Sequence, residues 1–214
     1  MMSSGSIGTT LQAKDTDEMM TSVLMAGVGG RGVLTASAVL AEAALLAGYD
    51  AKKSEVHGMS QRGGSVESHL RFSTVPVHSP LIPWGGADVV MALEMLEGLR
   101  SAHWCRPGGV ILADERKILP ATVAHGALQY PQDCRQRLER HDGATVIVPA
   151  FVVAQVLGEP RAANVVMLGA VSTFLPIAEE TWHEALGNVI KPQALATNLR
   201  AFDLGRAQMG PSSE

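Results

Sequence analysis

Cysteine is nearly missing from this chain of 214 residues: only Cys105 and Cys134 occur, and they form no C-x-x-C pair. An iron–sulfur cluster takes four protein ligands, so this chain alone is not expected to hold one. Aromatic residues are scarce at 4%, and Lys plus Arg number 17 against 21 Asp plus Glu, a net charge of −4. Nucleic-acid surfaces need clustered Lys and Arg, so no nucleic-acid partner is expected. Long apolar runs are lacking as well. The best of them, 23–48, is interrupted by Arg31, Glu42 and glycines, which argues against a membrane span. No basic stretch followed by an apolar one stands among the first twenty residues; no secretory signal is read there, and cytoplasm is the expected location. The histidines show no H-x-x-x-H spacing and no short cluster with carboxylates, so no metal ligands are assigned. Neither a G-x-S-x-G elbow nor a P-loop is present.

What is present describes a globular α/β protein. Hydrophobic residues make up 46% and charged residues 18%, enough apolar material for one sizeable core at this length. The expected division is a flexible tail over 1–20, a single domain over 21–208, and a short tail over 209–214. Ser22–Ala26 reads as a buried strand and Val33–Leu46 as a helix stopped by Gly48. Further strands are expected at 51–56, 66–72, 87–93, 108–113 and 144–148. In the 66–72 segment Val66, Ser68, Leu70 and Phe72 alternate with Glu67, His69 and Arg71, which predicts a strand with one solvent or partner face, antiparallel or at an edge. From Ala150 onward the pattern is helical. The fold class is therefore α/β: a mostly parallel Rossmann-like sheet with helices on both faces and a helical C-terminal third packed on it.

Ligands of such sheets sit beyond the carboxyl ends of the strands. Gly27-Val-Gly29-Gly30-Arg31-Gly32 follows the first strand with G-x-G-x-x-G spacing, and the helix behind it offers free N–H groups to an anion. A second loop, Glu55-Val-His57-Gly-Met-Ser-Gln61-Arg62-Gly63-Gly64, follows the second strand. His57 is a candidate acid or base; Gln61 and Arg62 are donors suited to carboxylate or phosphate. Glu94 follows the 87–93 strand, and Asp114 with Glu115 the next. Each has a plainer reading: tight packing for Gly27, a solvated charge for Arg31 and Arg62, a structural role for His57, a helix start for Glu94. No nucleophile constellation is visible, so the chain looks like part of a site.

The two loops together carry a resemblance. Gly27–Gly32 and Ser54–Val66, with Ser68–Arg71, Ala87-Asp88, Ala92-Leu-Glu94, Asn164, Leu168-Gly-Ala170 and Asn198–Gly205, are similar to the gamma-type domain of 2-oxoacid:ferredoxin oxidoreductases over about 22–206. The indolepyruvate branch is the most similar. Arg31 departs from the glutamine often found there. The resemblance implies an accessory subunit of a thiamine-diphosphate enzyme that oxidatively decarboxylates a 2-oxoacid, an aromatic one such as indolepyruvate, to its acyl-CoA. It implies no cofactor on this chain alone, with thiamine diphosphate and [4Fe-4S] clusters on a large partner subunit, coenzyme A as co-substrate, and ferredoxin reached through the hetero-oligomer. Two alternatives stand beside it: a free-standing NAD(P)-dependent reductase and a nucleotide-binding module.

Overall fold

Short apolar runs set the centre of the molecule. β1 (Thr21–Val28) is buried at every position, as a strand covered on both faces must be. The computed structural model describes residues 20–57, 64–118 and 129–210. After β1 come α1 (Val33–Leu46), β2 (Asp50–His57), β3 (Ser65–Ser73), β4 (Ala87–Ala92), α2 (Met95–Ser101), a 3-10 turn at Ala102–Trp104, β5 (Cys105–Asp114), α3 (Cys134–Leu138) and β6 (Ala144–Val148). Four helices then close the chain: α4 (Ala150–Val156), α5 (Ala163–Ser172) behind a 3-10 turn at Pro160–Ala162, α6 (Glu179–Val189) and α7 (Pro192–Ala207). Of the tails expected over 1–20 and 209–214, residues 1–19 and 211–214 lie outside the described residues.

The strand order is β2-β3-β1-β4-β5-β6. β1, β4, β5 and β6 run parallel, while β3 is antiparallel to both β1 and β2. The stretch between β2 and β3 is too short for a crossover, so β3 has to return antiparallel. β2 consequently points the same way as β1, with β3 between them. Glu55 and His57 belong to β2 itself rather than to a loop after it.

Alternate residues of the parallel strands face opposite layers. Val23, Met25, Val89, Met91, Val110 and Leu112 join α1 and α4–α7 in one core; Leu24, Val90, Ile111 and Ala113 join α2 and α3 in the other. That period of two is the reason helices cover both faces. Within the helical C-terminal third, α5 packs on β4 and β5, while α6 packs on α1 and α7 on α5, all joined in one core.

One expectation fails. The face of β3 that carries Glu67, His69 and Arg71 is not simply solvated, because the proline-punctuated segment after β3 lies over it. His69 is 3% exposed. Its Nδ1 accepts the Ile82 N–H at 3.2 Å, and burial lowers its pKa, so the ring is neutral with its proton on Nε2. Arg71 Nη1 donates to the Ser79 carbonyl at 3.2 Å. Alternation shows which residues share a face, but not which distant segment will cover it.

Candidate functional site

The chain leaves β1 through a turn that only glycine makes cheaply. Gly30 and Gly32 both have φ +85°, a region that costs other residues about 1–2 kcal/mol. Gly32 is the residue before α1, and its carbonyl accepts Asn164 Nδ2 at 3.0 Å. A Cβ on Gly32 would stand 2.5 Å from that same nitrogen. The turn is thus pinned between α1 and α5.

Beyond the turn opens a cleft of about 900 Å³. Its floor is the carboxyl edge of the parallel strands: Gly30–Gly32 after β1, Leu93 after β4, Asp114 and Arg116 at the end of β5, Phe151 after β6. Its roof is the turn from Glu159 to Asn164 and the corner between α6 and α7, with Lys191, Gln193, Thr197 and Asn198. Among the described residues, four cations line it, Arg31, Arg116, Arg161 and Lys191, against two acids, Asp114 and Glu159.

Those charges differ in how far they are already engaged. Arg161 is clamped on Glu159, Nε to Oε1 at 2.8 Å and Nη2 to Oε2 at 2.9 Å. Arg116 lies flat on the Phe151 ring, 3.7 Å from its centre. Burial lowers the Arg116 pKa, and the neighbouring Arg31 charge lowers it further. Neither Arg31 nor Lys191 has an ion-pair partner among the described residues. Two guanidiniums that repel each other beside a helix N-terminus have the chemistry to hold an anion.

Asp114 is the buried acid of the cleft floor, 2% exposed. Burial pushes its carboxyl up to about 6, against the pull of the Phe151 and Arg116 N–H donors at 3.4 and 3.3 Å. In the unfolded chain it titrates near 4, at about 3.9. Folding therefore disfavours its charged form: the penalty is absent below pH ~4, grows between about 4 and 6, and is complete above. Asp114→Asn keeps the acceptor and drops the charge. It is expected to raise the unfolding free energy by about 2–3 kcal/mol at pH 7 and to leave it unchanged at pH ~3.5. Urea melts at both pH values check this; the same difference at both would refute it.

The candidates from sequence separate into groups. Gly30, Arg31 and Gly32 line the cleft. Gly29 joins the two loops, its N–H donating to the Gly64 carbonyl at 2.9 Å. Gly27 serves packing: a Cβ there would meet Val33 Cγ2 at 2.9 Å and Leu93 Cβ at 3.2 Å. Gln61, Arg62 and Gly63 lie outside the described residues, as does the His57 side chain. Glu55, the acidic residue that a dinucleotide's ribose would need after the second strand, is exposed on β2 and accepts from Lys53 Nζ at 2.9 Å. With β3 inserted, β2 is two strand spacings from β1, about 10 Å. Among the described residues, the ribose contact of a nicotinamide dinucleotide site is not assembled.

Glu94 is not a cleft residue either. It is fully buried and caps α2, accepting the Glu97 N–H at 2.9 Å, the Ile118 N–H at 3.1 Å and the Tyr130 hydroxyl. Glu97 in turn accepts the Ser65 hydroxyl. These carboxylates tie the start of β3 to Ile118 and Tyr130. Arg116, Phe151, Arg161 and Lys191 were not singled out from sequence. Their only signal was position after a strand or before a proline-initiated helix, as in Lys191-Pro192.

Comparison with known proteins follows this geometry closely. Residues 22–208 match the family described as pyruvate ferredoxin/flavodoxin oxidoreductase. The chain is 37% identical over 194 residues to the indolepyruvate oxidoreductase subunit IorB of Archaeoglobus fulgidus, covering 89% of this chain and 96% of that one. Identity to IorB of Thermococcus kodakarensis is 37% over 188 residues, 86% of this chain and 93% of that one. In fold it resembles the gamma subunit of a keto/oxoacid ferredoxin oxidoreductase from Geobacter sulfurreducens, with TM-score 0.69 and 22% identity over 88% and 98% of the two chains. It also resembles part of the 2-oxoglutarate:ferredoxin oxidoreductase of Magnetococcus marinus, with TM-score 0.71 and 22% identity over 91% of this chain and 32% of that one. That structure has 2-oxoglutarate, coenzyme A and succinyl-CoA bound.

Proposed function

Because the chain belongs to the pyruvate ferredoxin/flavodoxin oxidoreductase family, we propose that it is the small accessory subunit of an indolepyruvate-type 2-oxoacid:ferredoxin oxidoreductase. The observation that carries this reading is the 37% identity to IorB over nearly the whole of both chains. The substrate is an aromatic 2-oxoacid such as indolepyruvate, converted to its acyl-CoA, with ferredoxin as acceptor and the cytoplasm as location. Residues 21–208 act as one gamma-type domain.

Thiamine diphosphate and [4Fe-4S] clusters belong to the large partner subunit. The thiols of this chain do not suit a cluster. Cys105 opens β5 and Cys134 opens α3, and both are buried. Burial pushes both thiols up, Cys105 to about 11, which opposes the thiolate that iron requires. No redox step is assigned to this chain.

The cleft has a different chemistry. Coenzyme A carries a diphosphate and a 3′-phosphate, and the Arg31 and Arg116 charges by the head of α1, with Lys191 on the facing roof, suit them. The Phe151 ring beneath Arg116 keeps that guanidinium in place. We assign the cleft as the place where this subunit holds the phosphates of coenzyme A beside the partner's reaction centre. No helix among the described residues is long and apolar enough to cross a membrane.

Copurification tests the assignment. Tagging this chain in its native cell is expected to bring down a large, brown, cluster-bearing subunit and 2-oxoacid-dependent reduction of ferredoxin. A native preparation holding this chain alone, or a lone chain that oxidises a keto acid, would overturn it.

A further inference from the structure

Helices α6 and α7 bring a mixed set of ligands together away from the cleft. Glu179 and His183 are four residues apart on α6 and share a face; α7 supplies Asp203 opposite them. One ligand atom from each of the three lies within 4.8 Å of the other two. His183 Nε2 is 2.8 Å from Asp203 Oδ1. The imidazole meets the ring of buried Phe202 edge-on, with centroids 5.7 Å apart and planes at 76°, which fixes its orientation. Glu179 is held by Arg206, whose Nη2 is 3.0 Å from Oε2, and Arg206 is anchored on Ser172 Oγ at 2.8 Å. Partners of this kind orient metal-bound carboxylates. Only Glu179 and His183 are close in sequence; the third member of the group, Asp203, comes from another helix.

We propose that Glu179, His183 and Asp203 bind one divalent transition-metal ion of the Zn²⁺ class and so clamp α6 to α7. One imidazole with two carboxylates and no thiolate suits Zn²⁺, Co²⁺ or Mn²⁺ rather than a soft monovalent ion. Metal–ligand bonds of about 2.0–2.2 Å place ligand atoms roughly 3–3.6 Å apart, so no pair has to close by more than about 2 Å on binding, a rotation that half-exposed side chains make freely. Water completes the coordination, and Arg206 stays on Glu179. Two carboxylates and one guanidinium leave a single negative charge for the dication. The clamp has a structural consequence, since the α6–α7 corner carries Val189, Ile190 and Lys191 into the cleft wall.

Calorimetric titration of the EDTA-stripped full chain with Zn²⁺ tests the proposal. One ion per chain is expected, bound at about 10 µM or tighter, with Tm raised by about 5 °C when Zn²⁺ is present at roughly 100 times Kd. His183→Ala and Asp203→Asn should each weaken binding by about tenfold or more and cut the Tm rise to about half or less, while circular dichroism and the metal-free Tm stay near the parent's. A wild-type chain that takes up no Zn²⁺ below about 1 mM, or variants that bind it as the parent does, would overturn the proposal.

Discussion

Gly205→Ala is expected to lower Tm by about 6–12 °C, equivalent to about 3 kcal/mol, or to prevent folding altogether. α7 crosses α5 backbone to backbone. A Cβ on Gly205 would lie 1.9 Å from the Val166 carbonyl oxygen, and one on Gly169 2.0 Å from that of Phe202. Both obstacles are main-chain atoms inside helices, with no flexible side chain to swing aside, so the helices must separate. Separation would expose Phe202 and Val166, which are fully buried, and would displace the part of α7 that roofs the cleft. Gly187→Ala on α6 is the control. Nothing lies within 4 Å of its would-be Cβ, so helix propensity alone predicts a gain of up to about 1 kcal/mol. Thermal melts of the two variants side by side decide the matter; a Gly205→Ala chain that melts like the parent would mean that the crossing is looser than described.

The second large effect concerns the cleft. In the reconstituted complex, Arg31→Ala/Arg116→Ala is expected to raise KM for coenzyme A about 100-fold, since each charge-assisted bond lost is worth about 1.5–3 kcal/mol. At saturating coenzyme A, kcat should remain within about twofold, because the removed groups bind phosphates remote from the reacting carbon. Lowering ionic strength should sharpen the contrast with the parent. Both arginines project from turns rather than from the core, so assembly with the partner should persist on size exclusion. An unchanged KM would remove coenzyme A from the cleft. Loss of assembly with an unchanged KM in the residual complex would make the arginines interface residues instead.

How much of this was legible in the chain depended on how local each signal was. Among the described residues, the strands, α1 and the helical stretch from Ala150 onward fall close to where alternation, apolar runs, prolines and glycines place them, because those patterns are written within single elements. The turn at Gly30–Gly32 was likewise visible as a cluster before a helix. Assignments that needed two elements at once were harder. Gly27 fits a nucleotide fingerprint by spacing, yet its neighbour is Val33 and its role is packing. Gly169 and Gly205 stood inside the resemblance with no physical reason attached until α5 and α7 were seen to cross. His69 read as a surface histidine because the chain that buries it arrives from beyond Ser73. Arg161 and Lys191 reach the cleft only because the C-terminal helices fold back over the strand ends, a tertiary event that no periodicity encodes.

The placement of β3 between β1 and β2 also constrains how the chain acquires its form. One side of β1 pairs from Thr21 through Val28 with residues that end at Phe72, and the other with β4. During synthesis, which proceeds from the N-terminus, β1 emerges before the strands it pairs with and waits with open hydrogen-bonding groups until β2 and β3 are complete. Nascent β1 is thus an adhesive edge for a definite interval, and its apolar sequence makes that interval the point where newborn chains are most exposed to aggregation.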